Sequence, residues 1–371
     1  MYGMLMSFIS PKDSVDKIVE YQPAPMKLPT EKKIQRLSFN ESRIGPSPKA
    51  LAAALEAMQN CSLYPTPGNP EVREAIAQRY SVDAEKIFCG SGSEDILRLL
   101  ACGYAGAGDD IVYTEHGMLI YPIAAHCVGA NVIVAAEKDL FVDVDNVLET
   151  VTENTKIVYV ANPGNPTGTY IPKSEMVRLR DNLNDDILLV IDSAYAEFVD
   201  ADDYSSGWEL VDNGKDNVVM TRTMSKMYAL AGMRLGWAYV PKPIAKVLNK
   251  VRMGFSVNVA VAAAGIAAIK DVEHEEKAKA YNRKMKAWLE TELVSLGLEV
   301  SPSVCNFSLV RFKGGEEQCR NVNKVLRENG ISVKPCVVSY LPDCLRITIG
   351  AEEGLELLIE VLKDLKKQGV I

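Results

Sequence analysis

The segment TRTMSKMYALAGMRLGW, residues 221–237, contains the pattern from which the fold of this chain is predicted. Lys226 stands just after a short apolar run, NVVMT at 217–221, which predicts a strand. Open α/β sheets place their reactive groups at the carboxyl ends of strands. A lysine there can form a Schiff base with a carbonyl cofactor if its amine is partly neutral. Ser225 and Arg234 would offer a phosphate a hydroxyl donor and a fixed cation. The alternative is a solvated lysine and an ion-paired arginine on a surface turn.

The rest of the chain predicts alternating strands and helices. Apolar runs rich in Val and Ile predict the strands KIFCG, DIVYTE, NVIVAA, KIVYVANP, DILLVIDSAY, NVVMTRT and GWAYVP, separated by amphipathic helices. This alternation favours a mostly parallel sheet buried on both faces. Residues 243–295 are predicted to be helical throughout, and short strands between two amphipathic helices follow. We therefore predict an α/β fold with a large domain at 46–270, a small α+β domain at 271–371 and an N-terminal arm at 1–45 that joins the small domain.

Composition excludes several functional classes. A length of 371 residues suggests about two domains, and the net charge of -8 disfavours a nucleic-acid partner, which requires a basic face. The 8 cysteines are scattered without a CxxC pair, and there are only 3 histidines. This pattern favours reduced thiols in the cytoplasm and no metal site. The apolar opening is too short to cross a bilayer and lacks the features of a signal peptide, so no membrane association is expected.

The segment FCGSGSEDILRLL at 88–100 predicts a strand, a glycine turn and the start of a helix. Free backbone N–H groups at such a helix start, together with the Ser93 hydroxyl, would bind an anion. The GSGSED portion is similar to the beginning of a dinucleotide fingerprint. However, Glu94 and Asp95 would repel a pyrophosphate, which disfavours that interpretation. A site for a single phosphate is the functional hypothesis, and a purely structural turn is the alternative.

Two more strand ends place polar groups at the same predicted edge. In ANPGNPTGTY at 161–170, prolines and glycines form a rigid turn that would direct the Asn165 amide towards a ring oxygen. In DILLVIDSAYAEF at 186–198, Asp192 follows five apolar residues, where a carboxylate needs a cation or a strong donor, such as a protonated pyridine nitrogen. Tyr195 would reach the phenolic oxygen of the same ring. An ordinary turn for Asn165, and a helix N-cap or structural salt bridge for Asp192, are the alternatives.

In order and spacing these motifs resemble those of the fold-type I pyridoxal-phosphate aminotransferases, and more narrowly the histidinol-phosphate aminotransferase family. The resemblance covers nearly the whole chain, through LSFNES, GPSPKA, YPTPGNPEVREAIAQRY, GSGSEDILRLL, ANPGNPTGT, IDSAYAEF, TRTMSKMYALAGMRLGW, NFSLVRF and LRITIG. It implies the fold-type I transferase fold, pyridoxal 5'-phosphate as cofactor, and a homodimer with shared active sites. The implied reaction converts L-histidinol phosphate and 2-oxoglutarate to imidazole-acetol phosphate and L-glutamate. The alternatives are an aromatic amino-acid aminotransferase, a threonine-phosphate decarboxylase-like lyase and a non-catalytic protein with this fold.

The resemblance also implies roles for individual residues. Lys226 would hold the cofactor and move a proton at the substrate Cα, and Asp192 would keep the pyridine nitrogen protonated. Asn165 and Tyr195 would hydrogen-bond the ring oxygen. The cofactor phosphate would be held by Ser93, the backbone at Glu94, Thr223, Ser225, Arg234 and a Tyr64 reaching from the neighbouring subunit. His116 falls where the family usually has a stacking aromatic; a loop histidine near a sheet end is the alternative.

Substrate recognition is the least determined part of the resemblance. Arg346 in LRITIG would bind the α-carboxylate of glutamate and a phosphate-bearing substrate in the same place, because its planar fork suits both anions. A strand-edge ion pair is the alternative. The other implied substrate-binding residues are Tyr21, Asn40 and Asn165, with Glu41 nearby. The chain departs from the family pattern at 40–43, 164, 193 and 254–256. Two of these segments line the substrate pocket in the family, which leaves an aromatic amino acid open as substrate.

Overall fold

The computed structural model describes residues 9–20, 27–213 and 215–371. The strands within these ranges are β1 (Gln35–Arg36), β2 (Ile87–Gly90), β3 (Asp110–Thr114), β4 (Asn131–Ala135), β5 (Glu137–Lys138), β6 (Phe141–Val142), β7 (Thr155–Ala161), β8 (Leu188–Asp192), β9 (Val218–Thr223), β10 (Gly236–Tyr239), β11 (Glu299–Val300), β12 (Phe307–Arg311), β13 (Ile331–Ser332), β14 (Lys334–Cys336) and β15 (Leu341–Thr348). The α-helices are α1 (Asp13–Asp16), α2 (Pro48–Ala57), α3 (Pro70–Tyr80), α4 (Ser93–Tyr104), α5 (Ile120–Val128), α6 (Val144–Thr150), α7 (Lys173–Asn182), α8 (Trp208–Asp212), α9 (Lys242–Val251), α10 (Val259–Lys270), α11 (Val272–Ser295), α12 (Gly315–Glu328) and α13 (Glu352–Lys367).

A central sheet has the strand order β2-β10-β9-β8-β7-β3-β4. The neighbours from β9 to β4 pair in parallel, and β10 runs antiparallel to both of its neighbours. Strands β8 and β9 are buried along their whole length, which explains why they are continuous apolar runs rather than alternating ones. The predicted α/β fold with a mostly parallel sheet is confirmed.

The alignment of β7, β8 and β9 determines where the chemistry lies. Ala161 pairs with Asp192, and Asp192 pairs with Thr221, so the carboxyl ends of the three strands lie side by side. The turns that follow these strands contain Asn165, Tyr195 and Lys226. Because parallel strands end at a common edge, residues far apart in sequence converge there.

The prediction of continuous helix over 243–295 was wrong. Helix α9 ends at Val251 and α10 begins at Val259, and the intervening residues are irregular. Asn258 ends this interruption as the N-cap of α10, since its side-chain oxygen accepts a hydrogen bond from the Val261 N–H at 3.0 Å. A second break, at Asp271, separates α10 from α11. Met253, Phe255 and Val257 make the segment between α9 and α10 partly apolar, so its composition did not reveal the break.

A second sheet has the strand order β11-β12-β15-β14, with its paired strands antiparallel. Its core packs with the later part of α11, with α12 and with α13. The N-terminal region reaches this part of the molecule through β1, which pairs in parallel with β13. The paired residues directly precede the LSFNES motif. None of the helices described is both long and apolar enough to cross a membrane.

Candidate active site

Lys226 lies in the turn after β9, at the common edge of the parallel strands. Its Nζ donates a hydrogen bond to the Phe39 carbonyl oxygen at 3.0 Å and lies 5.8 Å from the centroid of the Tyr195 ring. Desolvation, together with the positive charge of Arg346, lowers the pKa of Lys226 to about 8. A sizeable fraction of this amine is therefore neutral near physiological pH, which is what a nucleophilic lysine requires.

Asp192 ends β8 and its carboxylate is buried, with 2% of the residue exposed. The Tyr121 hydroxyl donates to Oδ2 at 2.9 Å, and the Thr221 hydroxyl donates to Oδ1 at 3.2 Å. Burial raises the pKa of Asp192 to about 6, and the two hydroxyl donors oppose that rise. Both donors are neutral, so among the described residues Asp192 forms no salt bridge. A cation placed beside this carboxylate would relieve the cost of burying it.

A wall of amide, phenol and guanidinium groups faces Lys226. The Tyr195 hydroxyl accepts a hydrogen bond from Nδ2 of Asn40 at 2.8 Å. Arg346 donates from Nη2 to the Ser38 carbonyl oxygen at 2.6 Å and from Nη1 to Oδ1 of Asn165. Burial raises the pKa of Tyr195, which keeps its hydroxyl protonated. The Arg346 charge is held by neutral acceptors, so the strand-edge ion pair is not formed among the described residues.

The contact between Arg346 and Asn165 also determines how the Asn165 amide is oriented. Because the amide oxygen accepts from the arginine, the Nδ2 group points the other way, with the Met118 sulfur 3.2 Å from it. The donor group of the Asn165 amide is thus identified, and in this structure it is directed at the Met118 sulfur.

A second group of donors gathers at the start of α4. Ser93 is the first residue of the helix and is 7% exposed, and the preceding Gly92 has φ of +86°. Nη1 of Arg234 lies 3.4 Å from the Ser225 hydroxyl, and the Ser225 N–H donates to the Thr223 hydroxyl at 3.1 Å. Helix N–H groups, hydroxyls and a guanidinium are the donors that bind a phosphate.

The space at this helix start is narrow. A Cβ atom at Gly92 would lie 2.7 Å from Nη2 of Arg234. The Glu94 carboxylate lies 3.6 Å from the same nitrogen of Arg234, in a pair that is about half exposed and therefore weak. The phosphate donors, the partly neutral Lys226 amine and the buried Asp192 carboxylate together fit pyridoxal 5'-phosphate.

Other residues predicted from the sequence occupy different surroundings. His116 is buried, and its Nδ1 donates to the Ser339 carbonyl oxygen at 2.8 Å. Tyr64 is 81% exposed and stacks on Phe255, with 4.4 Å between ring centroids. Its own chain therefore does not enclose it. Glu41 is exposed. Tyr21 lies outside the described residues.

Three residues at the site were not predicted from the sequence. Tyr121 and Thr221 bind Asp192, and Lys334 pairs with Arg346 across β14 and β15. Side chains directly opposite each other in an antiparallel pair point to the same face of the sheet. Desolvation and the charge of Arg346 lower the pKa of Lys334, so the two cations lie close together. The sequence predicted short strands in this part of the chain, but not which residues lie opposite each other across them.

Comparison with known proteins agrees with this geometry. The sequence profile of aminotransferase class I and II matches residues 32–362. The chain is 47% identical over 360 residues to the histidinol-phosphate aminotransferase of Paramagnetospirillum magneticum, covering 97% of this chain and 99% of the relative. It is 44% identical over 359 residues to the histidinol-phosphate aminotransferase of Rhodospirillum centenum, covering 97% and 99%.

A solved structure gives the same result. The crystal structure of histidinol-phosphate aminotransferase from Sinorhizobium meliloti in complex with pyridoxal-5'-phosphate superposes with a TM-score of 0.86 at 28% identity. The superposition covers 91% of this chain and 92% of that chain. The resemblance inferred from the sequence motifs is confirmed over nearly the full length of the chain.

Proposed function

The chain belongs to the class I and II aminotransferases, and we propose that it transfers the amino group of L-histidinol phosphate to 2-oxoglutarate. The products would be imidazole-acetol phosphate and L-glutamate, in histidine biosynthesis. Pyridoxal 5'-phosphate is the cofactor of this PLP-dependent enzyme. The choice of substrate is supported by relatives that carry the name histidinol-phosphate aminotransferase and cover nearly all of this chain.

The observation that carries the proposal is the pair of cations at Arg346 and Lys334. They are opposite each other across β14 and β15, and Arg346 contributes to the lowered pKa of Lys334. Both positive charges would attract an anionic group of the substrate bound in front of them. A phosphate dianion would offer a negative charge to each cation, whereas an aromatic amino acid would offer only the single charge of its α-carboxylate. The α-carboxylate of glutamate would use the same arginine in the second half of the reaction.

Each residue at the site would have its own role in the reaction. When bound, pyridoxal phosphate supplies a ring that accepts the electron pair left at the substrate Cα. The partly neutral Nζ of Lys226 would move the proton between Cα of the substrate and C4′ of the cofactor. Asp192 would hold a proton at the pyridine nitrogen, which gives its buried charge a partner. The Tyr195 hydroxyl and the Asn165 amide would donate to the ring oxygen.

The remaining predicted residues would bind and enclose the cofactor and substrate. Ser93, the backbone at Glu94, Thr223, Ser225 and Arg234 would hold the phosphate of the cofactor. His116 would stack on its ring while its Nδ1 remains bonded to Ser339. Asn40 is held by a network with Tyr195 and Thr348 and would close one side of the substrate pocket.

We further propose that the enzyme is a cytoplasmic homodimer whose active sites share residues. Exposed apolar side chains at α2 and the turns beside it support this assembly, since such groups are normally covered by a partner. They are Leu51, Leu55, Met58, Leu63, Tyr64, Met253 and Phe255. The proposed domains are the arm at 1–45, the large domain at 46–270 and the small domain at 271–371. The pairing of β1 with β13 supports joining the arm to the small domain.

Substrate choice is tested with single-turnover rates of the loaded enzyme. L-Histidinol phosphate, phenylalanine and threonine phosphate would each be mixed with the holoenzyme, and the change in cofactor absorbance followed. Histidinol phosphate is expected to react fastest. Lys334→Met should lower kcat/KM for histidinol phosphate by about tenfold to a hundredfold, the effect of losing one charge-assisted hydrogen bond of about 1.5–3 kcal/mol. The same variant should change the rate with phenylalanine little.

Lys334→Arg is the matched control, because it keeps the cation and should keep most of the activity. A wild-type preference for phenylalanine would contradict the proposal and favour the aromatic aminotransferase. Release of carbon dioxide from threonine phosphate would instead identify the lyase. The absence of a lysine-bound cofactor that borohydride fixes to Lys226 would favour a non-catalytic protein.

A further inference from the structure

A buried ion pair lies on the opposite face of the sheet from Asp192. Arg222 follows Thr221 in β9, and because successive side chains of a strand point to opposite faces, it points away from the Asp192 carboxylate. Nη1 of Arg222 lies 3.2 Å from Oε1 of Glu197, and the two side chains are 5% and 2% exposed. Both charges have thus been removed from water.

Aromatic rings enclose this ion pair. The guanidinium carbon of Arg222 lies 4.9 Å from the ring centroid of Tyr80, 5.0 Å from that of Trp208 and 5.7 Å from that of Trp237. Trp237 is paired with Arg222 in register across β9 and β10. The Tyr80 hydroxyl is hydrogen-bonded to the Tyr228 hydroxyl at 2.8 Å. Cation–π contacts on several sides leave the guanidinium little freedom to move.

The buried ion pair of Arg222 and Glu197 contributes little net stability to the core. Removing two charges from water carries a desolvation penalty that their mutual attraction often fails to exceed, and apolar side chains of the same volume are frequently as stable. Stability alone therefore does not account for burying Arg222 and Glu197, whereas a role in fixing the positions of neighbouring segments would.

The pair connects the two segments from which the proposed catalytic groups project. Glu197 is two residues after Tyr195. Arg222 is four residues before Lys226, and Tyr228 is two residues after it. The ion pair and the hydroxyl pair thus hold both ends of the Lys226 turn, and the ion pair ties that turn to the Tyr195 segment from beneath the sheet.

We infer that Arg222 and Glu197 are positioning residues, which fix the Lys226 amine and the Tyr195 hydroxyl relative to each other. This inference rests on the proposed roles of Lys226 and Tyr195. Neither Arg222 nor Glu197 touches the substrate or cofactor. Their effect is exerted through the segments that they join.

The test uses the holoenzyme with Glu197→Gln, which retains the shape of the side chain and removes its charge. The visible absorbance of the lysine-bound cofactor is titrated with pH, and kcat and KM are measured. With the Tyr195 hydroxyl displaced from the ring oxygen, the pH midpoint of the absorbance is expected to rise by about one unit. A misplaced base should lower kcat by about tenfold or more and leave KM within about twofold, because the substrate cations are untouched.

The matched control is Asp271→Asn. Asp271 is similarly buried and pairs with Lys49 at 2.7 Å, but it lies between α10 and α11, outside the Tyr195 and Lys226 segments. It should leave the absorbance midpoint and kcat unchanged even if it lowers thermal stability. If Glu197→Gln does not fold, Tyr80→Phe provides the second measurement, since it removes only the hydroxyl that binds Tyr228. It should move the midpoint in the same direction by less.

The inference is overturned if the Glu197 variant, or Tyr80→Phe in its place, unfolds more easily while the midpoint and kcat stay at wild-type values. It is also overturned if Asp271→Asn shifts the midpoint equally. Failure of the proposed function can be distinguished from failure of this inference. In that case the wild-type protein would show no absorbance of a lysine-bound cofactor at all.

Discussion

At the scale of single residues, Asp192 shows most directly how function and stability oppose each other. Its carboxyl group lies in a core built of apolar strands, and within the described part of the chain its side-chain donors are the hydroxyls of Tyr121 and Thr221. The folded environment therefore favours the protonated form, and the pKa of Asp192 is about 6 against an ordinary 3.8. The stabilisation of the fold by this proton is complete below about pH 3.8 and is lost as the pH rises through about 6.

Asp192→Asn is therefore expected to stabilise the cofactor-free protein at pH 7.5, by about 2–3 kcal/mol from the size of the pKa shift. The advantage should disappear near pH 4, where the native carboxyl is also neutral. Urea unfolding of both proteins between pH 4 and pH 8 measures this. In the loaded enzyme the same change should weaken retention of the cofactor, because the pyridinium loses its counter-charge.

Asp185→Asn is the control for this prediction, since the Asp185 side chain is 84% exposed and should show little change with pH. Equal destabilisation of the Asp192 variant at every pH would contradict the account, because it would mean that hydrogen bonding outweighs the desolvation of the charge.

At the scale of elements, the start of α4 connects a local sequence pattern to ligand binding. Gly92 has positive φ and lies against Arg234, so the turn, the helix start and the guanidinium form one close-packed unit. Gly236 in β10 lies equally close, since a Cβ there would be 2.3 Å from the Ser93 nitrogen. The glycines of GSGSED and RLGW are thus required by the close approach of two backbones and one cation.

Gly92→Ala should weaken cofactor binding by about tenfold or more, because the new methyl group must displace the Arg234 guanidinium and lose a charge-assisted contact. Gly108→Ala is the matched control. Its φ of +93° imposes a similar backbone strain, but a Cβ there meets nothing within 4 Å. Both variants should lose similar stability, and only Gly92→Ala should bind pyridoxal phosphate more weakly in an equilibrium titration. Equal affinities would contradict the role assigned to this helix start.

At the scale of the whole molecule, Tyr64 points to an assembly larger than one chain. It is 81% exposed and stacked on the partly exposed Phe255, beside other exposed apolar groups of the same face. The resemblance to aminotransferases implies that this tyrosine reaches the cofactor phosphate of a neighbouring subunit. A two-fold dimer would place one Tyr64 at each of two sites.

Subunit mixing tests this arrangement. Lys226→Ala and Tyr64→Ala homodimers should each have low activity. After the two proteins are dissociated together and reassembled, half of the dimers would be mixed, each with one intact site, so about a quarter of wild-type activity should return. Mixing Lys226→Ala with Lys226→Met is the control and should restore nothing. No recovery from the first mixture, with dimers present, would show that Tyr64 serves its own chain.

The sequence determined the fold class and the most informative residues, because these depend on local physics. Apolar strands followed by Pro, Gly and polar residues specify parallel strands that end at one edge. A carboxylate after five apolar residues and a lysine after a strand are costly placements that point to a ligand. Helix ends were less well predicted, and the break between Val251 and Val259 was missed because the segment between them is itself partly apolar.

Only the tertiary structure decided which groups face one another. Tyr121 on α5 and Thr221 on β9 donate hydrogen bonds to Asp192 at the end of β8. Lys334 lies opposite Arg346 because of the register in which β14 pairs with β15. The contact of Glu197 with Arg222 likewise depends on how the Tyr195 segment packs beneath β9. These pairs are between 12 and 71 residues apart in the chain. Strand order and register bring them together, and neither can be obtained from the local preferences of a single segment.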